Sequence, residues 1–135
     1  SMKTVFSSIK ELRQLRKHKQ QILEMEKNLA RAMIKDLSMI PKVKTLFCEH
    51  IADVSISYNR KKLLFVILCL FAPDALAGGR LPKGLRMEIS KIFPGIRPCT
   101  ISNEVANLYF FYQHYKDFRN DVESIYESIL DGLKA

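Results

Sequence analysis

The chain has 135 residues, 47% of them hydrophobic, enough for one compact domain with a core and too apolar for a disordered chain. Its formal charge of +8 favours polyanionic partners, because a cation placed beside a phosphate releases condensed counterions. The longest apolar run, residues 63–72, is about half of what a membrane-spanning helix needs, so no membrane partner is expected.

Cys48, Cys69 and Cys99 are odd in number and widely spaced, which argues against a disulfide framework and for a reducing, cytoplasmic setting. No signal peptide is expected, since the first residues lack an apolar core region. Charge is polarised along the chain. Residues 1–35 carry nine Lys/Arg against Glu11, Glu24 and Glu26, whereas residues 117–135 carry two cations against five acids.

Residues 4–37 read as one long basic helix. Val5, Ile9, Leu12, Leu15, Ile22, Met25, Leu29, Met33 and Leu37 recur at helical spacing, with no Gly or Pro between them. The stripe is interrupted around His18 and Lys19, so it serves either as a coiled-coil segment or as a helix lying on the domain. Residues 1–37 are thus expected to form an N-terminal segment and 38–135 a helical domain.

Pro41, with Ser38 before it, opens a short amphipathic helix through Val43, Leu46, Phe47, His50, Ile51 and Val54. His50 falls on its apolar face and is expected to pack in the core rather than to bind a metal. Asn59 can cap a third helix whose first turn, Arg60-Lys61-Lys62, opposes the helix dipole. Leu63 to Phe71 is apolar all round and must be the central core element. Pro73 ends it, and Gly78-Gly79 mark the most permissive loop, from which Arg80 and Lys83 project.

Leu85, Ile89, Ile92 and Phe93 then define a helix stopped by Pro94-Gly95, and Pro98 starts another, expected to run from Cys99 to about Phe118. Ile101, Val105, Leu108 and Tyr112 form its inward stripe. The opposite side shows Thr100, Asn103 and Asn107 with Ser102, short hydrogen-bonding residues in place of the Lys and Glu of an idle face. The aromatic residues from Tyr109 to Phe118 are expected to pack chiefly on the Leu63–Phe71 helix, and Asp121 to cap a closing amphipathic helix.

The stretch Ile89-Ser90-Lys91-Ile92-Phe93-Pro94-Gly95-Ile96-Arg97-Pro98-Cys99-Thr100-Ile101-Ser102-Asn103 resembles the helix-turn-helix of bacterial and phage DNA-binding proteins. The resemblance covers about residues 85–108. It lies in the turn Gly followed by an aliphatic residue and in a second helix that begins Pro-x-Thr-Ile-Ser. Pro94 is extra before the turn Gly, Ser90 stands where Ala is usual, and Glu104 is unexpected near a groove.

The resemblance implies an all-α fold in which the helix opening at Pro98 enters the major groove of double-stranded DNA. Thr100, Ser102, Asn103 and Asn107 would then meet bases or phosphates, with Arg97, Arg80, Lys83, Arg86 and Lys91 on the phosphate backbone. A small transcriptional regulator follows, dimeric because one such motif gives little contact area. Residues 4–37 or the aromatic patch at 109–118 would join the copies. The alternative is a helical assembly module, such as a phage packaging adaptor, without sequence-specific DNA binding. No catalytic constellation, cofactor motif or metal-ligand pattern stands out, so neither an enzyme nor a cofactor is expected.

Overall fold

The computed structural model describes residues 4–134; positions 1–3 and 135, the outer ends of the two expected segments, lie outside them. The fold is all-α, with no strand among the described residues, and the chain divides into two compact units, Ser1–Arg31 and Ala32–Ala135. The first unit is one helix, α1 (Val5–Leu29). Thr4 caps it, its hydroxyl accepting from the Ser7 N–H at 3.2 Å. None of its residues is buried: Val5, Phe6, Ile9, Leu12, Leu15, Ile22, Leu23, Met25 and Leu29 all lie exposed.

This helix stops eight residues short of the expected end at Leu37, and the reason lies in the second unit. Ile34, expected inside the helix, donates its backbone N–H to the Leu70 carbonyl at 2.9 Å instead. Pro73 and the non-helical backbone at Ala72 leave that carbonyl without its helical partner, so the Ile34 segment satisfies it. A 3₁₀ turn, Leu37–Met39, follows, capped by Asp36 through the Ser38 N–H at 3.0 Å.

Six helices form the second unit: α2 (Ile40–Cys48), α3 (Ser57–Phe71), α4 (Pro73–Leu76), α5 (Lys83–Lys91), α6 (Pro98–His114) and α7 (Lys116–Lys134). α3 runs through the centre, with α2, α4, α6 and α7 packed around it. Leu63, Leu64, Val66, Ile67, Leu68 and Leu70 are fully buried. A helix apolar on every side is stable only under such complete cover. α2 contributes Ile40, Val43 and Phe47, and α7 contributes Phe118, Val122, Ile125 and Ile129, each set on one helical face.

Two expectations at the ends of elements change. α2 ends at Cys48, so His50 lies exposed beyond it, its Nε2 3.0 Å from the Ser128 hydroxyl, rather than in the core. The helix expected over 99–118 breaks at Tyr115, and α7 already runs through Asp121. On a straight helix Phe111 and Phe118 would sit about 10 Å apart along the axis. The break folds them together, with ring centroids at 5.8 Å, and lets Phe118 pack beside Tyr58 and Phe65.

The cations entering α3 are turned inward. The helix begins at Ser57, earlier than Asn59, whose amide donates to the Asp53 carbonyl at 2.9 Å. Arg60 is buried and its Nε donates to both Glu104 carboxylate oxygens at 3.1 Å, joining α3 to α6. Lys62 is buried too, with Nζ 2.6 Å from Asp121 of α7 and 4.6 Å from the Tyr58 ring centre. Tyr58 donates its hydroxyl proton to Asp117, and burial together with that carboxylate pushes the phenol up to about 12.

Removing one partner of a buried pair strands the other charge, at a cost of roughly 3–5 kcal/mol. Glu104→Ala is therefore expected to lower the urea unfolding free energy by about 3 kcal/mol or more. The double variant Arg60→Met with Glu104→Leu should recover most of that loss. Circular dichroism across a urea series measures both, and a single variant as stable as the parent would refute the pairing's importance.

Candidate functional site

α5 and α6 meet through a tight turn, and each feature of it has a local cause. Leu85 and Ile89 bury one face of α5, with Ile92 and Phe93 continuing it. Ser90 satisfies its hydroxyl within the helix by donating to the Arg86 carbonyl at 2.9 Å. At the C-terminus Lys44 of α2 donates to the Ile92 carbonyl at 2.6 Å, a cation placed where the helix dipole is negative.

Gly95 adopts φ +87°, a conformation that L side chains rarely take. The Ile96 N–H closes the turn on the Phe93 carbonyl at 3.1 Å, and Pro98 then opens α6, where no N–H is required. Pro94 is exposed and adds its residue on the outside of the turn.

Ile101 and Leu108 hold α6 to the core, fully buried, while Val105 and Tyr112 are half-buried. Glu104, expected near the polar face, lies instead among the inward residues, bound to Arg60. Sequence spacing carried a signal for this, because residue 104 falls between 101 and 108 on the buried stripe. Its opposite charge to Arg60, 44 residues away, became meaningful only when α3 and α6 packed.

The expected contact residues all reach the surface to some degree. Arg97, Asn103 and Asn107 are exposed, and Thr100 and Ser102 are half-buried. Positions 100, 103 and 107 share one side of α6 by their spacing. Arg80, Lys83 and Lys91 are exposed and Arg86 is half-buried. Lys91 is engaged on its own helix, with Nζ 2.8 Å from Glu88.

The fold brings three of these nine residues together. Arg80, Arg86 and Ser102 line one cleft of about 530 Å³ between the loop after α4, α5 and α6. Asn103 and Asn107 do not line it and sit on the neighbouring face. Sequence reading missed the apolar and aromatic part of that cleft, Leu76, Val105, Ala106 and Tyr109, because Leu76 comes from α4 and the other three from α6.

Of the aromatic patch, Tyr112 stacks on Phe65 of α3 with centroids 4.9 Å apart, and Phe111 and Phe118 join the same cluster. Tyr109, Phe110 and Tyr115 stay exposed. Among the described residues no group of three His, Cys, Asp or Glu side chains is placed to hold a metal ion, and no helix is long and apolar enough to cross a membrane. Comparison of the chain with protein-family models, curated proteins and solved structures finds no match.

A Cβ added at Gly95 would meet nothing within 4 Å, so a substitution there tests backbone strain alone. Gly95→Ala is expected to destabilise the fold by roughly 1–2 kcal/mol, and Gly95→Asn by less, because Asn tolerates the left-handed region. Equal stability of the alanine variant and the parent in chemical denaturation would contradict the turn geometry.

Proposed function

We propose that the chain is a small DNA-binding protein, a regulator of transcription, that presents the first turns of α6 to the major groove of a duplex. The observation that carries this reading is the exposed side of α6. Arg97, Asn103 and Asn107 reach solvent beside the half-buried Thr100 and Ser102, while the one carboxylate of those turns, Glu104, is taken inward by Arg60. A helix face of amides and hydroxyls without a carboxylate suits a polyanion whose base edges offer donors and acceptors. Arg80, Lys83, Arg86 and Lys91 add positive charge around it, and phosphate contacts of that kind fix register. The role proposed is recognition, without catalysis.

Fluorescence anisotropy with a random-sequence duplex at low and moderate salt tests this. Binding should weaken steeply as salt rises. Arg97→Ala should weaken it across sequences and reduce the salt slope by about one, as loss of a phosphate contact does. Asn103→Ala should lose about 1–3 kcal/mol of discrimination once a preferred site is known. Affinity unchanged in both variants would remove α6 as the recognition helix.

A second reading, an assembly module, is favoured by α1, whose apolar stripe is wholly exposed. The two readings meet if α1 pairs copies of the chain, as a dimeric regulator requires. Light scattering should then report twice the 15.6 kDa chain mass, and Leu12→Ser with Leu15→Ser should halve it. A parent protein that is monomeric at high concentration would exclude self-association through α1.

A further inference from the structure

The cleft between the loop after α4, α5 and α6 contains a charge that the protein leaves unanswered. Among the described residues, every other Lys or Arg that is not fully exposed has an acceptor. Lys44 holds the Ile92 carbonyl, Arg60 holds Glu104, Lys61 holds Ser57, Lys62 holds Asp121 and Arg119 holds the Gln113 carbonyl. Arg86 alone is half-buried with no side-chain partner, and Arg80 joins it in the same cleft, equally unpaired. No carboxylate lines that cleft. Two guanidinium groups lining one cleft, with no carboxylate beside them, attract an anion and can hold it by charge-assisted hydrogen bonds.

Size and lining narrow the anion's class. A volume of about 530 Å³ falls within the range of small-molecule sites and far exceeds a bare phosphate. Much of the remaining lining is apolar or aromatic, with Leu76 from α4 and Val105, Ala106 and Tyr109 from α6. The Tyr109 ring is braced by stacking on Tyr112 at 5.7 Å, yet Tyr109 remains 47% exposed, so it offers a flat surface held in place. A ligand with a phosphate at one end and a planar ring at the other satisfies both halves.

We infer that this cleft binds a free nucleoside phosphate, its phosphate held by Arg80, Arg86 and the Ser102 hydroxyl and its base laid on Tyr109. The pocket stands on its own geometry. One consequence rests on the DNA reading: Arg80, Arg86 and Ser102 also belong to the surface proposed to meet a duplex, so ligand and DNA compete for them. The nucleotide then acts as a negative effector of DNA binding.

Isothermal titration calorimetry of the full chain with AMP, adenosine and inorganic phosphate tests the pocket without DNA. AMP should bind saturably and more tightly than either fragment. Arg86→Ala should weaken AMP binding at least about tenfold, the loss expected for a charge-assisted hydrogen bond. Tyr109→Ala should weaken AMP by a similar factor and leave phosphate binding unchanged. Lys42→Ala, exposed on α2 and outside the cleft, should change nothing. Should Arg86→Ala lose its helical dichroism, the exposed Arg80→Ala gives the same reading.

Absence of saturable AMP binding at millimolar concentration overturns the inference, as does AMP binding no tighter than adenosine or unaltered by both arginine variants. AMP binding in a chain that ignores duplex DNA keeps the pocket and removes the DNA reading. DNA binding weakened by Arg86→Ala in a chain that ignores AMP assigns the cations to a strand's backbone and removes the pocket.

Discussion

α3 must be covered on every side, and three cations stand in its early turns. Those two demands organise the second unit. Covering the helix requires α2, α4, α6 and α7 around it. Neutralising the cations requires a carboxylate from two of those neighbours, Glu104 from α6 and Asp121 from α7. The Arg60–Glu104 pair is buried on both sides, so it adds little net stability over an apolar equivalent while a mismatch there is heavily penalised; Asp121 keeps half of its side chain in solvent. Each pair ties one side of its helix to α3 and so fixes a rotation of α6 and of α7 about its own axis.

That rotation has a direct effect on the surface. With Glu104 held inward by Arg60, the side of α6 bearing Asn103 and Asn107 faces out, and Ser102 and Ala106 turn toward the cleft. The aromatic cluster acts in the same direction. Stacking of Tyr112 on Phe65 and packing of Phe118 under Tyr58 hold the far end of α6 and the start of α7. The site thus depends on contacts made at its back, by residues that touch no ligand in either proposed role.

Backbone accounting explains the boundaries. The orphan Leu70 carbonyl draws the Ile34 N–H away from a helix, the Lys44 ammonium meets the Ile92 carbonyl, and Gly95 lets the chain reverse before Pro98. The first two satisfy carbonyls that a helix end would otherwise leave unpaired. α1 is different, since its hydrogen bonds are internal and its apolar stripe finds no cover in its own unit.

Local pattern alone determined that the chain is helical, that the Leu63–Phe71 run is its core, and that a turn at Pro94-Gly95 separates a short helix from one opening at Pro98. These follow from spacing, from the missing N–H of Pro and from the freedom of Gly, all properties of neighbouring residues. Tertiary structure decided what depends on residues far apart in the chain. It ended α1 at Leu29, broke the helix at Tyr115, moved His50 to the surface, gave Glu104 to Arg60 and left Arg86 without a partner in a cleft built from α4, the loop after it, α5 and α6. Periodicity reports which face of a helix is apolar, but a charge or a carbonyl finds its partner only once helices distant in sequence are packed together.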